Sequence, residues 1–370
     1  MAFWIALFVI GIAILVSEAE RGRFRWILAG VLAAGLGQAA IGIWQFQFRE
    51  HGPEWFRILA THFRAYGTFE QPNPFAGFQG LIWPVAAGLG LGCLPRFREV
   101  RAALQVSFST RRLSFPFSRL FPSVLLFAAA LAIAASLYFS FSRGAWLGVA
   151  AAALAMLVAL PRRLSLGLGL AAGALVVGGG LAAAGLLPTA ITSRLAEAAG
   201  FLDAPDVRGA NINDVNFAII ERLAHWQAAA RMAQAHPWLG VGIGNYAAAY
   251  PQYRLFAWEN ALGHAHMIYL NVLAETGVAG LVTYVILWLS VIALTIRVVA
   301  RSAGWQRGLA LGLGGAWAHL SVHQLVDNLY VNNTHFLIAA LLAMLVYLSQ
   351  ASSSRPALQT AREPGAGVRR

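Results

Sequence analysis

The sequence has 370 residues, of which 59% are hydrophobic and only 11% are charged, and its mean hydropathy is +0.63. These values exclude a soluble globular domain and predict a multi-pass membrane protein. All 27 basic residues are arginine, and the formal net charge is +12. Because there is a single cysteine, Cys93, neither a disulfide framework nor a cysteine metal site is available.

Nine apolar runs are long enough to cross about 30 Å of hydrocarbon. They lie at about 2–17, 25–46, 74–95, 120–141, 145–160, 164–188, 277–298, 307–325 and 334–350. The fold class that they predict is all-α, a polytopic membrane helix bundle of about nine transmembrane helices with one large extracytoplasmic loop. The first run lacks a positive n-region and a small-residue cleavage site, so we interpret it as a retained span and not as a signal peptide.

The arginines are distributed unevenly along this topology. Most of them lie on the side that contains the turns at 17–24, 96–119, 161–163 and 299–306 and the C-terminal tail, whereas most acidic residues lie opposite. The positive-inside rule makes the arginine-rich face cytoplasmic, with the N-terminus outside and the C-terminus inside. The basic charge is therefore a topology signal, and we expect no nucleic acid partner.

We expect residues 1–350 to form a single transmembrane domain and 351–370, rich in Ser, Pro, Gly and Arg, to be a disordered cytoplasmic tail. Two outer loops are long enough to build a site, at about 47–73 and at 189–276. Eight of the nine histidines lie on or near the outer side, and the ninth, His319, lies in the penultimate span. Chemistry is therefore expected outside, which disfavours ATP or nucleotide-sugar substrates.

Two short motifs carry isolated arginines on the outer side. In "FRAYGTFEQPNPFAGF", Pro72 and Pro74 flank Asn73 and predict an extended turn before the third span, and Arg64 lies in the same loop. In "FSFSRGAWLG", Arg143 is the only charge of a tight turn between two spans. Each arginine either interacts with lipid phosphate at the membrane boundary or contacts a substrate.

The large outer loop contains one amphipathic helix. After "NINDVN", where Asn213 or Asp214 can cap, "FAIIERLAHWQAAARMAQA" has apolar residues at helical spacing and ends before "HP". Arg222 and His225 share a more polar face, and Trp226 follows Arg222 by one turn. This face either contacts substrate or is simply solvated.

The next segment, "HPWLGVGIGNY", has alternating glycines that include Gly242 and Gly244, followed by Asn245. The spacing does not match the dinucleotide-binding pattern. Such a loop either turns backbone N–H groups toward an anion or forms a tight turn back to the membrane.

The last motif is "GHAHMIYLNVLAETG". If a helix runs through it, His264, Asn271 and Glu275 form one polar stripe; if the helix begins near His266, that histidine faces the outer pocket. Zinc is not expected, because a third ligand at suitable spacing is absent from the sequence. A general base is a better use for such a histidine, and His266 is our first choice for it.

The order of "SRGAWLG", "ERLAHW", "HPWLGVGIGNY" and "HAHMIYLNVLAETGVAG" resembles the O-antigen ligase and O-antigen polymerase superfamily of bacterial membrane glycosyltransferases, over roughly 60–349. The resemblance implies transfer of a glycan from an undecaprenyl-diphosphate carrier to an acceptor, either lipid A core or another glycan. It places this multi-pass enzyme in the bacterial inner membrane among membrane lipids, with its active site facing the periplasm or exterior. It implies neither a cofactor nor a metal.

The resemblance assigns catalytic roles to Arg143, Arg222 and His266 or His264. We expect the following residues to bind substrate: Arg64, Asn73, His225, Trp226, Gly242, Gly244, Asn245, Asn271 and Glu275. This chain differs from the family in two ways. Many family members have Asn where this chain has Met267. Family ligases also have about twelve spans, so about three N-terminal spans are expected to be missing from this chain. A polymerase of the same superfamily is one alternative, and a transporter or flippase for an anionic lipid or solute is an alternative of another class.

Overall fold

A computed structural model describes residues 2–58, 61–95, 117–187, 192, 206–213 and 216–353. These residues are mostly helical with almost no sheet, which confirms the predicted all-α membrane fold. The helices are α1 (Ala2–Glu18), α2 (Phe24–Gln47), α3 (Pro72–Cys93), α4 (Phe117–Tyr138), α5 (Arg143–Ala159), α6 (Leu164–Ala183), α7 (Phe217–Ala235), α8 (Tyr246–Tyr253), α9 (Ile268–Arg301), α10 (Gly304–His323) and α11 (Thr334–Ser353). A short antiparallel ladder pairs β1 (Arg57–Ile58) with β2 (His62–Phe63).

Among the described residues, six helices are long and apolar enough to cross a membrane, and α5 is a shorter apolar helix. The first of the six, Phe8–Gln47, contains α1 from Phe8 onward and all of α2, and a π-helical segment at Ala19–Arg23 joins the two helices. The helix α10 is less apolar than these six, although most of its residues are buried inside the protein. Each of the nine predicted runs falls on a helix, while the count of nine spans stays a prediction.

The helices α3 and α10 form the centre of the bundle, and α4 and α5 pack around them. A Cβ atom on Gly88 of α3 would lie 2.3 Å from the carbonyl oxygen of Gly308 on α10, and the reverse distance is also 2.3 Å. Small residues let helix backbones approach closely inside a membrane protein. The glycines of this pair therefore set the spacing of the two central helices.

Two buried histidines of α10 lie in spaces that glycines leave open. A Cβ on Gly80 would lie 1.9 Å from Nε2 of His319, and a Cβ on Gly144 would lie 2.6 Å from Cδ2 of His323. The Nδ1 atom of His323 is 3.4 Å from Nε2 of His319. Both rings are fully buried, and this packing fixes the position of His323 near the end of α10.

In the loop predicted to lie outside, the amphipathic helix is present as α7, and Ile220, Ala224 and Ala228 are buried on its apolar face. Its N-cap residue is Asn216. The backbone N–H groups of Asn213 and Asn216 each donate to the side-chain oxygen of the other, at 2.8 and 3.1 Å. Asp214 lies outside the described residues.

The helix α9 bends at Gly277, where φ is 65°, so a short segment before this residue is separated from the long apolar segment after it. The short helix α8 was not among the elements predicted from the sequence. At the C-terminal end, α11 reaches Ser353, three residues into the predicted tail, and 354–370 lie outside the described residues.

Candidate active site

A cavity of about 120 Å³ lies at one end of the bundle, where α3 and α5 begin and α10 ends. Its lining residues are Arg64, Asn73, Phe141, Ser142, Arg143, Gly144, Ala218, Arg222, His323, Val326 and Asp327. Four residues predicted for the site, from three separate sequence motifs, are therefore brought to one place. Because three of those four are arginines, the cavity is suited to an anion.

Arg64 and Asn73 form one wall of the cavity. Nε of Arg64 donates to the carbonyl oxygen of Ser140 at 2.7 Å, and Nη2 donates to Oδ1 of Asn73 at 3.3 Å. Asn73 lies in the first turn of α3, between Pro72 and Pro74. The predicted extended turn at these residues was wrong, because proline fits the first turn of a helix without losing a hydrogen bond.

Arg143 is the first residue of α5, so its side chain and the N-terminus of that helix face the same cavity. The partial positive charge of a helix N-terminus disfavours a cation and favours an anion there. The first turn of α3, through Asn73, adds a second helix N-terminus. This accumulation of positive charge is stabilised when an anion occupies the cavity.

Arg222 reaches the cavity from α7. Its Nη1 donates to the carbonyl oxygen of Ala218 at 2.9 Å, and its Nε donates to the carbonyl oxygen of Val326 at 3.2 Å. The second bond connects the outer-loop helix to the segment between α10 and α11. Arg222 is therefore held in a defined position, and the solvated-face interpretation of this residue does not describe the structure.

Asp327 is the acidic residue of the cavity lining, and the sequence analysis missed it. It lies four residues after His323 and eight after His319, a spacing that would have placed all three on one helix face. Burial alone would raise the pKa of the Asp327 carboxyl. Contact with His266 and the positive charge of Arg222 outweigh burial and hold this pKa well below its usual range, so Asp327 is ionised at neutral pH.

His266 contacts this carboxylate. Its Nδ1 is 3.8 Å from Oδ1 of Asp327, which is too long for a hydrogen bond but close enough for an ion pair once the imidazole is protonated. Neither ring nitrogen has a hydrogen-bond partner among the described residues, although both are buried. The backbone of His266 has a φ of 53°, a left-handed conformation that non-glycine residues rarely adopt. Strained backbone and unsatisfied buried polar atoms are both concentrated at functional sites.

His264 holds the backbone of the turn that contains His266. Its Nδ1 accepts a hydrogen bond from the backbone N–H of His266 at 3.1 Å, and the two rings are 4.3 Å apart edge to face. The helix begins only at Ile268, after Met267, so both histidines lie in the preceding turn. This agrees with the alternative in which the helix starts near His266.

His225 lies next to His266 and is fully buried. Its ring stacks on Tyr250 and lies edge to face with His266 at 5.6 Å. The Tyr246 hydroxyl is 3.1 Å from His225 Nδ1. Burial, followed by repulsion from His266, lowers the pKa of both His225 and His264 to about 4. These two rings are therefore neutral at physiological pH.

The neutral histidines predict that the outer segment loses stability in acid. An unfolded histidine has a pKa near 6.5, so between about pH 6.5 and 4 the unfolded chain binds more protons than the folded chain. The free energy of unfolding therefore decreases as the pH is lowered through this range. The buried His225 contributes up to about 3 kcal/mol to this loss. We expect the apparent Tm of the purified protein to fall over this range, with a shallower slope in His225→Gln. The exposed His236→Gln is the control, and an unchanged slope in His225→Gln would contradict the prediction.

The glycine loop, residues 236–245 between α7 and α8, binds the carboxylate of Glu275. The N–H of Gly244 donates to Oε2 of Glu275 at 3.0 Å, and the N–H of Tyr246 donates to Oε1 at 3.1 Å. Gly242 donates to the backbone oxygen of Glu275, and the Asn245 side chain donates to Val241 within the turn. The loop is thereby fixed to the first part of α9.

The remaining predicted substrate contacts lie next to the site. Oδ1 of Asn271 accepts a hydrogen bond from the N–H of Ala265 at 3.0 Å, which holds the turn that carries both histidines. Trp226 packs against the cluster of Val207, Ile219, Ile220, Leu223, Ala224, Leu255 and Trp258. Among the described residues, Arg64 and Asn73 are the two predicted substrate-binding residues that line the cavity. Substrate contact by the others stays a prediction.

This arrangement can bind a doubly charged anion and accept a proton beside it. Three arginines and two helix N-termini supply positive charge to the cavity. His266 is not one of the described lining residues, but it contacts the lining residue Asp327, which makes it our candidate for the base. No group of three His, Cys, Asp or Glu side chains within the described residues is arranged to hold a metal ion.

Comparison with known families gives one match. Residues 127–285 match the O-antigen ligase family model, and no curated protein matches the chain. The matched segment extends from α4 into α9 and contains Arg143, Arg222, His264 and His266. Together with the apolar helices and the order of these motifs, this match supports membership of the O-antigen ligase superfamily.

Proposed function

We propose that this chain transfers an oligosaccharide or polysaccharide from an undecaprenyl-diphosphate carrier to an acceptor hydroxyl at the extracytoplasmic face of the bacterial inner membrane. At the family level it is an O-antigen ligase-like glycosyltransferase, which acts on a lipid-linked glycan and an acceptor. The carrier, the membrane side and the residue roles are parts of the proposal. Residues 1–350 would form the glycosyltransferase domain.

The positive cavity is the observation that carries this proposal. Arg64, Arg143 and Arg222 converge on it, and Asp327 is the one acidic residue in the described lining. A diphosphate group carries several negative charges, and guanidinium groups bind phosphate oxygens in a planar, bidentate manner. The outward position of the cavity in the predicted topology matches a donor that has already crossed the membrane.

In the proposed step, the acceptor oxygen attacks the anomeric carbon of the donor glycan while the bond from that carbon to the diphosphate oxygen breaks. The diphosphate leaves with the electron pair, and the arginines stabilise its growing charge, which we expect to be the largest catalytic effect. The hydroxyl proton goes to His266, and Asp327 stabilises the resulting imidazolium. Direct displacement of this kind inverts the anomeric configuration.

The test is a transfer assay with purified protein and undecaprenyl-diphosphate glycan. We expect a larger glycan product and release of undecaprenyl diphosphate. Transfer to lipid A core would make the protein a ligase, and transfer to a second lipid-linked glycan would make it a polymerase. Donor movement across vesicles without any transfer to either acceptor would contradict the proposal and favour the transporter alternative.

A further inference from the structure

A second cavity lies at the opposite end of the same helices, between α5, α6, α9 and α10. Its volume is about 680 Å³, within the range of about 300–1,000 Å³ that is common for small-molecule sites. Along α5, the 16 steps from Arg143 to Ala159 correspond to about 24 Å, so this groove is separate from the candidate active site. In the predicted topology it opens at the cytoplasmic leaflet.

The wall of this groove is apolar and accessible from the lipid phase. Its apolar lining includes Val158, Ile292, Ile296, Val299, Leu311 and Trp317. Ile296 is 64% exposed on the outer surface of α9, so the groove has an open side. Trp317 lies at the deep end of the groove. Its indole N–H donates to Oγ1 of Thr295 at 3.1 Å, so this donor is satisfied. An acyl chain fits such a wall.

The mouth of the groove is positively charged. Nη2 of Arg307 donates to the carbonyl oxygens of Ala159 and Leu160 at 2.9 and 2.8 Å. Within the described part of the chain, the guanidinium of Arg162 donates to the carbonyl oxygens of Ala300 and Ser302, both at the long distance of 3.4 Å. Nε of Arg307 is buried and has no hydrogen-bond partner within the described structure. The two guanidinium groups are thus placed at one mouth, and one of them has an unused buried donor.

The described lining of the groove contains no acidic side chain to balance these arginines. Residues 155–164 and 292–317, which contain the lining of the groove, include several arginines and no acidic residue. Among the described residues, neither Arg162 nor Arg307 makes an ion pair. Basic pockets between membrane helices on the cytoplasmic side are suited to anionic lipid head groups.

We propose that this groove binds an anionic glycerophospholipid of the cytoplasmic leaflet, with its phosphate between Arg162 and Arg307 and an acyl chain along the apolar wall. A zwitterionic lipid carries its own ammonium group and gains less from the two arginines. The bound lipid would fill the space between α9 and the α5–α6 pair. It would thereby support α10, whose opposite end carries His323 at the candidate active site.

The test compares lipid binding by purified, delipidated protein in native mass spectrometry. Dioleoyl phosphatidylglycerol is the probe, and dioleoyl phosphatidylcholine and soluble glycerol 3-phosphate are the comparison ligands. At about 1 kcal/mol for each arginine, R162Q/R307Q should bind phosphatidylglycerol about thirtyfold more weakly than the natural chain. The matched control R163Q/R301Q removes the same charge at the same membrane end outside the groove lining, and it should retain binding.

A second variant tests the apolar part of the groove. A Cβ on Gly314 would lie 3.6 Å from Cγ2 of Thr295, an ordinary contact, so Gly314→Leu can extend into the groove with both arginines present. It should also lose phosphatidylglycerol. If R162Q/R307Q does not fold, the exposed Arg162→Gln alone should weaken binding about fivefold. Equal binding of the two lipids, equal loss in R163Q/R301Q, or displacement of the lipid by glycerol 3-phosphate would overturn the proposal.

Discussion

Replacing Arg222 by alanine is expected to lower kcat/KM for glycan transfer by about 10²- to 10³-fold. The guanidinium of Arg222 lies in the cavity with Arg64 and Arg143, and its positive charge is fixed by bonds to the carbonyl oxygens of Ala218 and Val326. A fixed cation stabilises the departing diphosphate more than the neutral acceptor complex, so the loss should appear in kcat as well as in KM. Steady-state kinetics with undecaprenyl-diphosphate glycan measure both.

The matched control for this prediction is Arg231→Ala. Arg231 lies on the same helix, α7, but its Nη1 donates to the carbonyl oxygen of Tyr253 and not into the cavity. Arg222→Lys keeps the positive charge but lacks the planar guanidinium group, and we expect an intermediate loss of kcat/KM of about tenfold. Because Arg222 also connects α7 to the segment after α10, the apparent Tm of each variant must be compared. Equal activity of Arg222→Ala and Arg231→Ala at equal stability would remove Arg222 from the site.

Replacing His266 by glutamine is expected to lower kcat by about 10²- to 10⁴-fold, the usual effect of removing a general base. His266 contacts the ionised Asp327 and has two buried ring nitrogens without hydrogen-bond partners among the described residues. Asp327→Asn keeps the shape of the side chain but removes the charge that stabilises the imidazolium. We expect this variant to lose at least about 10²-fold in kcat.

His264→Gln distinguishes the two histidines of the motif. Nδ1 of His264 accepts a hydrogen bond from the backbone N–H of His266, so we propose that His264 positions the turn. We therefore expect a smaller loss of kcat in His264→Gln than in His266→Gln, accompanied by a lower apparent Tm. The reverse order of activities would identify His264 as the base, and additive losses in His266→Gln/Asp327→Asn would argue against a shared function.

Several properties of this protein follow from the sequence by itself. Long apolar runs specify helices because a backbone in hydrocarbon must satisfy its own hydrogen bonds, and each predicted run falls on a helix. The extent of α7 follows from its helical periodicity and the proline after it. The order of Arg143, Arg222 and the two histidines indicated the family, which the match over 127–285 supports.

Other properties depend on contacts between segments far apart in the chain, and only the tertiary structure decided them. Asp327 becomes the partner of His266 because α10 ends at His323 and the following segment turns back toward the outer loop. Glu275 occupies the glycine loop because the bend at Gly277 brings the start of α9 beside it. Local propensity describes each segment alone, whereas a charge finds its partner only when packing fixes the distance between them.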